Sequence, residues 1–171
     1  FLAPYLERLQ EIPLPDASDD DLSCKPAYQA IDSEGAYGRT IGFGRHEMSD
    51  TDHRLVRAAY WAMCDQIDDR VGTILAALDD AGVADNTIVI FMSDHGEMLG
   101  DHGIYLKGPY FYDAAIRVPL MIRLPGRIAP AEHRGLFEAV DLVPTLLDLC
   151  AIPHHPGIQG GSVAAGLAGG D

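Results

Sequence analysis

The hydrophobic and polar positions of residues 51–81 repeat with a helical period. Apolar side chains recur at steps of three and four residues, and acidic side chains occupy the opposite face. Ser49 or Thr51 can cap the start of the helix, and Gly82 can end it in a left-handed conformation. The pattern predicts a long amphipathic helix with an apolar face made of Tyr60, Cys64, Ile67, Val71, Ile74, Leu75 and Leu78.

A continuous apolar and β-branched run follows at residues 87–92. Because it lacks polar alternation, it is typical of a strand that is buried on both faces of a parallel sheet. A second strand is predicted at 117–123 and a weaker third at 136–140, before Asp141 caps a short helix, Leu142–Leu149. A long helix that leads into a buried strand indicates an α/β fold of the doubly wound type.

Residues 1–50 lack such periodicity and are punctuated by proline and glycine. We therefore predict an irregular mid-chain connecting segment over 1–50, followed by an α/β domain over 51–171. The chain begins with Phe1 and not with methionine, so we expect it to be a piece of a longer protein.

The net charge and the cysteines narrow the function classes. The chain of 171 residues has 12 Lys and Arg against 26 Asp and Glu, a net charge of −14, which argues against binding to nucleic acid or to an anionic membrane. No apolar run approaches the length of a membrane span.

The three cysteines, Cys24, Cys64 and Cys150, do not form a disulfide framework, and we expect the last two to be buried. Unpaired cysteines slightly favour the cytoplasm, with export as the alternative.

The residues with candidate chemistry follow the first predicted strand directly. Asp94 and His95 stand at its carboxyl end, where open α/β sheets bind ligands, and Gly96 permits the sharp turn they need to share one ion. A carboxylate oxygen and an imidazole nitrogen together suit a divalent cation. A glycine-rich stretch then leads to Lys107, whose charge can stabilise an anionic substrate oxygen.

Each of these residues also has a simpler interpretation. The Asp94-His95 pair could be a helix cap or part of a turn, His102 a turn residue, and Lys107 a solvated lysine. Glu97 and Asp101 are expected to be surface carboxylates. The combination of strand, Asp-His-Gly, glycine-rich loop, lysine and strand favours the functional interpretation.

This ordered set resembles the sulfatase family of the alkaline phosphatase superfamily over roughly residues 50–160. The histidine at position 95 resembles the residue at that position in the iduronate sulfatase and phosphonate monoester hydrolase branches. The similar residues are Tyr60, Asp68-Asp69-Arg70-Val71-Gly72, Asn86 to Gly96, Leu99-Gly100-Asp101-His102-Gly103, Lys107, Arg117-Val118-Pro119-Leu120 and Asp141-Leu142-Val143-Pro144-Thr145.

The resemblance implies an alkaline-phosphatase-like α/β fold, with a mostly parallel central sheet flanked by helices, of which this chain holds only the later part. It implies hydrolysis of a sulfate ester, with one divalent cation bound by Asp94 and His95. Ca²⁺ is expected first and Mn²⁺ is the alternative. Lys107 would contact the oxygens of the transferred group as the catalytic and substrate-binding residue, and His102 is a weaker candidate for the same pocket.

The nucleophile that the resemblance implies is a formylglycine made in a Cys-x-Pro-x-Arg motif. Cys24-Lys25-Pro26-Ala27-Tyr28 has tyrosine where arginine should stand, so we expect the formylglycine in an N-terminal part outside this sequence. The expected partner is a small-molecule sulfate or phosphate-type ester, and a homo-oligomer stays open. The alternatives are a phosphonate or phosphate ester hydrolase of the same superfamily and a non-catalytic binding or structural module.

Overall fold

The computed structural model describes residues 1–17, 22–35 and 47–167. In chain order these form helices α1 (Leu2–Glu7), α2 (Ala27–Ser33) and α3 (Asp50–Asp80), strand β1 (Val89–Met92), helix α4 (Asp113–Ile116), strand β2 (Leu120–Arg123), and helices α5 (Leu142–Leu149) and α6 (Ala164–Leu167). Helices α1 and α2 lie in the segment that the sequence predicts to be irregular, and its boundary at residue 50 stays a prediction. No helix in these ranges combines the length and apolar character needed to cross a membrane.

The chain divides into two compact units. The first unit contains Phe1–Ala77 and His95–Pro119, and the second contains Leu78–Asp94 and Leu120–Asp171. Each unit is therefore assembled from segments that are far apart in the sequence.

Helix α3 confirms the predicted long helix within one residue at each end. Ser49 and Asp52 cap its start reciprocally: Asp52 N–H donates to Ser49 Oγ at 3.2 Å, and Ser49 N–H donates to Asp52 Oδ2 at 2.8 Å. At the other end, Gly82 has φ of 65°, and Val83 N–H returns to Leu78 O at 3.1 Å. The cap residues read from the sequence thus set both ends of the helix.

The buried residues of α3 are different from those that the apolar pattern predicts. Within this helix, Ala58 and Ala62 are buried, whereas Ile67 and Ile74 are 52% and 59% exposed. Cys64 is exposed too, as is Cys150, so the predicted burial of both thiols was wrong. Periodicity identifies the apolar side of a helix but does not show whether another element covers it.

The second unit contains both strands. β1 and β2 pair antiparallel, with Val89 opposite Arg123 and Met92 opposite Leu120. Along β1 every residue is half-buried, so the full burial predicted from its apolar run is not reached among the described residues. In β2 half-buried and exposed residues alternate, as expected when one face is covered. The predicted third strand is wrong, because residues 139–141 form a 3₁₀ turn and Leu136 is 98% exposed.

Asp141 stands at the start of α5 as predicted, but its side chain does not cap that helix. Its carboxylate instead accepts the Glu138 N–H at 2.9 Å and the Gly161 N–H at 2.7 Å. Thr145, which is fully buried, accepts the Val163 N–H at 3.1 Å through its hydroxyl oxygen. These polar contacts tie the chain after α5 back onto the helix.

The buried core cluster of the first unit is formed by the largely irregular segment between the two strands. Met98, Ile104, Tyr110 and Ala115 form its buried cluster, and all four belong to the chain between β1 and β2. The loop predicted to carry the site therefore contributes to the core.

Candidate anion and metal site

The loop after β1 carries the predicted site residues, and its residues 95–112 are called the Lys107 loop below. Asp94 precedes it, belongs to the second unit and is exposed. His95 begins it, belongs to the first unit and is half-buried. The structure describes each of them in its own unit, so their joint use of one cation stays a prediction.

The imidazole of His95 is oriented by the backbone beside it. Its Nδ1 lies 2.8 Å from the carbonyl oxygen of Gly96. Because a carbonyl oxygen can only accept a hydrogen bond, Nδ1 carries the proton and Nε2 holds the lone pair. His95 is thereby set in the tautomer that presents Nε2 to a cation.

Gly96 is required by a close approach of two backbones. Its N–H donates to Ala115 O at 2.8 Å, and a Cβ placed on it would lie 1.9 Å from Ala114 O. A side chain at this position would force the backbones apart, because real Cβ atoms essentially never come closer than 3.0 Å to such an atom. The sequence predicted a glycine-dependent turn here, and the structure adds the neighbour that excludes a larger residue.

The Lys107 loop folds back on itself. Met98 N–H donates to Leu106 O at 3.0 Å, and Gly100 N–H donates to Ile104 O at 2.9 Å. These two hydrogen bonds bring the end of the loop back to its beginning, so that Lys107 lies beside His95 although the two are twelve positions apart in the sequence.

Lys107 Nζ is within hydrogen-bond distance of His95 Nε2. The structure therefore brings together two residues that the sequence selected for different tasks, one for an anion and one for a cation. Lys107 is exposed and His95 half-buried, so the pair is accessible from solvent. In this contact the Nε2 lone pair accepts from the Lys107 ammonium, so a metal ion could bind Nε2 only if Lys107 moved off it, for example onto an anionic ligand.

The turn between these residues has an unfavourable backbone. Leu99, His102 and Leu106 have φ of 48°, 55° and 64°, in the left-handed region. Such conformations cost non-glycine residues on the order of 1–3 kcal/mol each, and they persist only where the surroundings hold them. Side chains elsewhere in the first unit must therefore stabilise this turn.

Arg57 and Asp101 provide one set of stabilising contacts. The Arg57 guanidinium from α3 forms an ion pair with Asp101 Oδ1 and donates to Leu99 O at 3.4 Å. The same carboxylate oxygen accepts the N–H of Asp16 at 2.9 Å, and Asp16 O accepts the N–H of His102 at 2.8 Å. Three segments of the first unit are thus joined at Asp101.

Tyr105 provides a second contact from inside the turn. It is 4% exposed, its ring stacks on His53 at 5.8 Å, and its hydroxyl hydrogen-bonds His53 Nδ1. Burial raises the pKa of Tyr105 to about 12, so its hydroxyl stays protonated at neutral pH. Ionisation of Tyr105 therefore does not disturb its contact with His53 in the physiological pH range.

His102, the weaker site candidate, has a ring contact of its own. Its imidazole stacks on Tyr112 with ring centroids 3.9 Å apart, and Tyr112 accepts a hydrogen bond from Gln29 of α2 at 2.8 Å. Lys25 Nζ lies 5.2 Å from the centroid of the same tyrosine ring. These contacts give His102 a place in the first unit's packing, and its contact with substrate stays a prediction.

The sequence interpretation missed Arg57 and misjudged Asp101. Asp101 was expected to be a surface carboxylate, but its side chain is 33% exposed and paired with an arginine that is 12% exposed. No local pattern connects two residues that are 44 positions apart. The available signal was the glycine on each side of the Asp101-His102 pair, which marks a turn that needs outside support.

Among the described residues, no group of three or more His, Cys, Asp or Glu side chains is arranged to hold a metal ion. The orientation of His95 and the exposed carboxylate of Asp94 fit the role of two ligands in a larger set. A complete site would need donors beyond those that this part of the chain brings together.

The sequence of this chain matches a known protein family. The family model described as Sulfatase matches residues 17–152. The chain belongs to the sulfatase family. Among its relatives are mouse (Mus musculus) iduronate 2-sulfatase, 39% identical over 128 residues, and the multifunctional alkaline phosphatase superfamily protein PehA of Trinickia caryophylli, 43% identical over 98 residues. The first match covers 60% of this chain and 23% of the relative, and the second covers 56% and 19%.

Solved structures of the sulfatase family and its neighbours share this fold. The phosphonate monoester hydrolase of Silicibacter pomeroyi matches with a TM-score of 0.84 and 30% identity, over 99% of this chain and 34% of that protein. The match confirms the predicted alkaline-phosphatase-like α/β fold, and the chain spans about a fifth to a third of these relatives' lengths. Among the described residues β1 and β2 pair antiparallel, so the parallel pairing expected of the run at 87–92 is not found there.

Proposed function

We propose that this sulfatase-family chain is the later part of an enzyme that hydrolyses sulfate esters, with Lys107 and His95 in its active site. The observation that carries the proposal is the contact between Lys107 Nζ and His95 Nε2. It joins the group suited to a tetrahedral anion with the group suited to a cation, in the loop that follows β1 in the sequence.

Lys107 holds the transferred group in this proposal. Its ammonium donates to a sulfate oxygen and offsets the negative charge that grows on the transferred group and the leaving oxygen in the transition state. Opposite unit charges at 4 Å attract by about 4 kcal/mol when the effective dielectric constant is near 20. Because the turn that precedes Lys107 is fixed, little reorganisation is needed when substrate arrives.

Asp94 and His95 bind one divalent cation in this proposal, Ca²⁺ first and Mn²⁺ as the alternative. Carboxylate oxygen suits Ca²⁺, and a mixed oxygen and nitrogen set suits Mn²⁺. When bound, the cation polarises the ester. The Nδ1 hydrogen bond to Gly96 O leaves Nε2 as the nitrogen of His95 that would bind the cation, with Lys107 Nζ moving from Nε2 to the transferred group.

The nucleophile and the other metal ligands are proposed to lie outside these residues. The coverage supports this, because the match extends over 34% of the Silicibacter hydrolase. The exposed Ile67 and Ile74 on α3 also suit a larger fold that covers them. Purified residues 1–171 should therefore not turn over substrate, and hydrolysis by them that Lys107→Ala abolishes would contradict this.

A second candidate is hydrolysis of phosphonate or phosphate monoesters. The similarity to the Silicibacter phosphonate monoester hydrolase over nearly the whole chain favours it. Lysine would bind either transferred group, because both are tetrahedral and anionic.

Paired kinetics on the full-length protein that carries these residues separate the candidates. We expect a larger kcat/KM for an aryl sulfate than for the matched aryl phosphonate, each measured with Ca²⁺ and with Mn²⁺. A larger kcat/KM for the phosphonate would replace the first candidate with the second. Absence of turnover for both substrates with either metal would favour a non-catalytic binding or structural module.

A further inference from the structure

We propose that Arg57 and Asp101 are positioning residues for Lys107, and this inference rests on the proposed role of Lys107 in binding the transferred group. Neither residue reaches the Lys107–His95 contact in the described structure. They act through the backbone of the turn that delivers Lys107 to that contact.

The turn that precedes Lys107 needs support from outside it. Positive φ at Leu99, His102 and Leu106 makes this conformation unfavourable for an isolated chain. The turn is closed internally by the Met98 N–H to Leu106 O hydrogen bond, directly before Lys107. Any relaxation of the turn therefore moves the backbone from which the Lys107 side chain extends.

Arg57 supports the turn from a helix outside it. Arg57 is held on the long helix α3, contacts the turn at Leu99 O and at the Asp101 carboxylate, and is largely buried. The Asp101 oxygen that binds Arg57 also accepts the Asp16 N–H. An arginine with two contacts to one turn fixes its orientation, which a single contact to a mobile side chain would not do.

The ion pair of Arg57 with Asp101 is partly shielded from solvent. The Arg57 and Asp101 side chains are 12% and 33% exposed. A surface pair would add little, whereas removal of one partner from a shielded pair leaves the other charge uncompensated. The pair therefore controls the turn more strongly than an exposed ion pair of the same geometry would.

The test is a double-mutant cycle in the full-length protein, read as kcat/KM for an aryl sulfate. Arg57→Gln and Asp101→Asn should each lower kcat/KM by about 10- to 100-fold, the range expected when a catalytic group is displaced by about 1 Å. The kcat/KM of the double variant should be no lower than that of the less active single variant, because the two residues act as one unit. Arg57→Lys should recover part of the loss.

Arg54→Gln is the matched control. Arg54 lies on the same helix one turn earlier and donates to Ile12 O at 3.0 Å, so it joins α3 to the chain but does not contact the turn. Its kcat/KM should stay within about twofold of wild type.

The Lys107→Ala background distinguishes positioning from general stabilisation. There, Arg57→Gln should cost less than about twofold, because the residue through which it acts is gone. An undiminished cost in that background would overturn the proposal. If the wild-type protein does not cleave the aryl sulfate, the proposed function fails. Hydrogen exchange then still tests whether Arg57 and Asp101 hold the turn.

Hydrogen exchange tests the pair without substrate. Arg57→Gln should speed exchange of the Gly100 and His102 amides about tenfold or more, while Arg54→Gln should leave them near the wild-type rate. If Arg57→Gln does not fold, Arg57→Lys provides the same comparison with a smaller expected increase. Equal exchange rates in the wild type and in the Arg57 variants would refute the positioning role.

Discussion

Two irregular segments of this chain follow a strand, and they differ sharply in packing. In the Lys107 loop after β1, Met98, Ile104 and Tyr105 are no more than 4% exposed. In the segment after β2, called the 125–138 segment here, residues 129–136 are all exposed. Irregular backbone can therefore be packed as tightly as a helix where it carries a candidate site, and can be left to solvent where it connects elements.

The difference extends to backbone strain. The Lys107 loop holds three non-glycine residues in the left-handed region, whereas the 125–138 segment turns at Gly126, where φ of 73° costs a glycine little. A strained turn persists only when surrounding contacts determine its shape. The ion pair of Arg57 with Asp101 and the packing of Tyr105 supply those contacts in the first unit.

A methyl group added to a glycine in each segment should reveal the largest difference in packing. Gly96→Ala places a Cβ against the Ala114 carbonyl, so we expect the free energy of unfolding to fall by about 4 kcal/mol or more. Gly126→Ala meets open space and pays only for its left-handed backbone, about 1–2 kcal/mol. Urea denaturation of both variants measures the difference. Similar losses would mean that the two loops are equally tolerant and would contradict the account.

Truncation of an aliphatic side chain tests the same contrast at smaller scale. Ile104 is 1% exposed, and Ile104→Ala should lower the free energy of unfolding by about 2–4 kcal/mol through lost burial and a cavity. Leu136 is 98% exposed, and Leu136→Ala should change it by less than about 0.5 kcal/mol. Thermal or chemical denaturation decides, and a loss at Leu136 that equals the loss at Ile104 would show that the 125–138 segment is packed as well.

The sequence predicted the features that depend on neighbouring residues. The caps of α3, the glycine at Gly82 and the strands near 89–92 and 120–123 follow from local chemistry. These features need no knowledge of the remote parts of the chain. The resemblance to the sulfatase family assigned Lys107 to one site with Asp94 and His95; the structure shows its contact with His95, and its role stays a prediction.

The features that the sequence missed depend on distant partners. The apolar run at 136–140 suits a strand, but it has no pairing partner among the described residues and Leu136 faces solvent. The pairing of Arg57 with Asp101 crosses 44 positions, and the stacking of His102 on Tyr112 requires the folded loop. Hydrophobic period and local motifs carry no record of such contacts.

The smallest expected effect concerns acid stability in the second unit. The Gly161 N–H and, next, the Glu138 N–H hold the pKa of Asp141 below its usual range. A carboxyl whose pKa is lowered on folding adds stability above its unfolded-state pKa of about 4, and this is lost as the pH falls through the folded pKa. Asp141→Asn should therefore be slightly less stable at pH 7 and lose stability less steeply below pH 4. If the free energies of unfolding of the wild type and of Asp141→Asn, measured by denaturation, fall in parallel from pH 7 to pH 2, this role of Asp141 is excluded.

In the proposed function Lys107 binds the transferred group of an ester, and the kcat/KM of two lysine and arginine variants tests this role. Lys107→Ala in the full-length protein should lower kcat/KM for an aryl sulfate, or for the aryl phosphonate if that is the better substrate, by about 100- to 1000-fold. Arg134→Ala removes a cation from the 125–138 segment, where it contacts only the exposed Glu132 among the described ion pairs, and should stay within about twofold of wild type. A Lys107→Ala variant that retains wild-type kcat/KM, or an equal loss in both variants, would contradict the account.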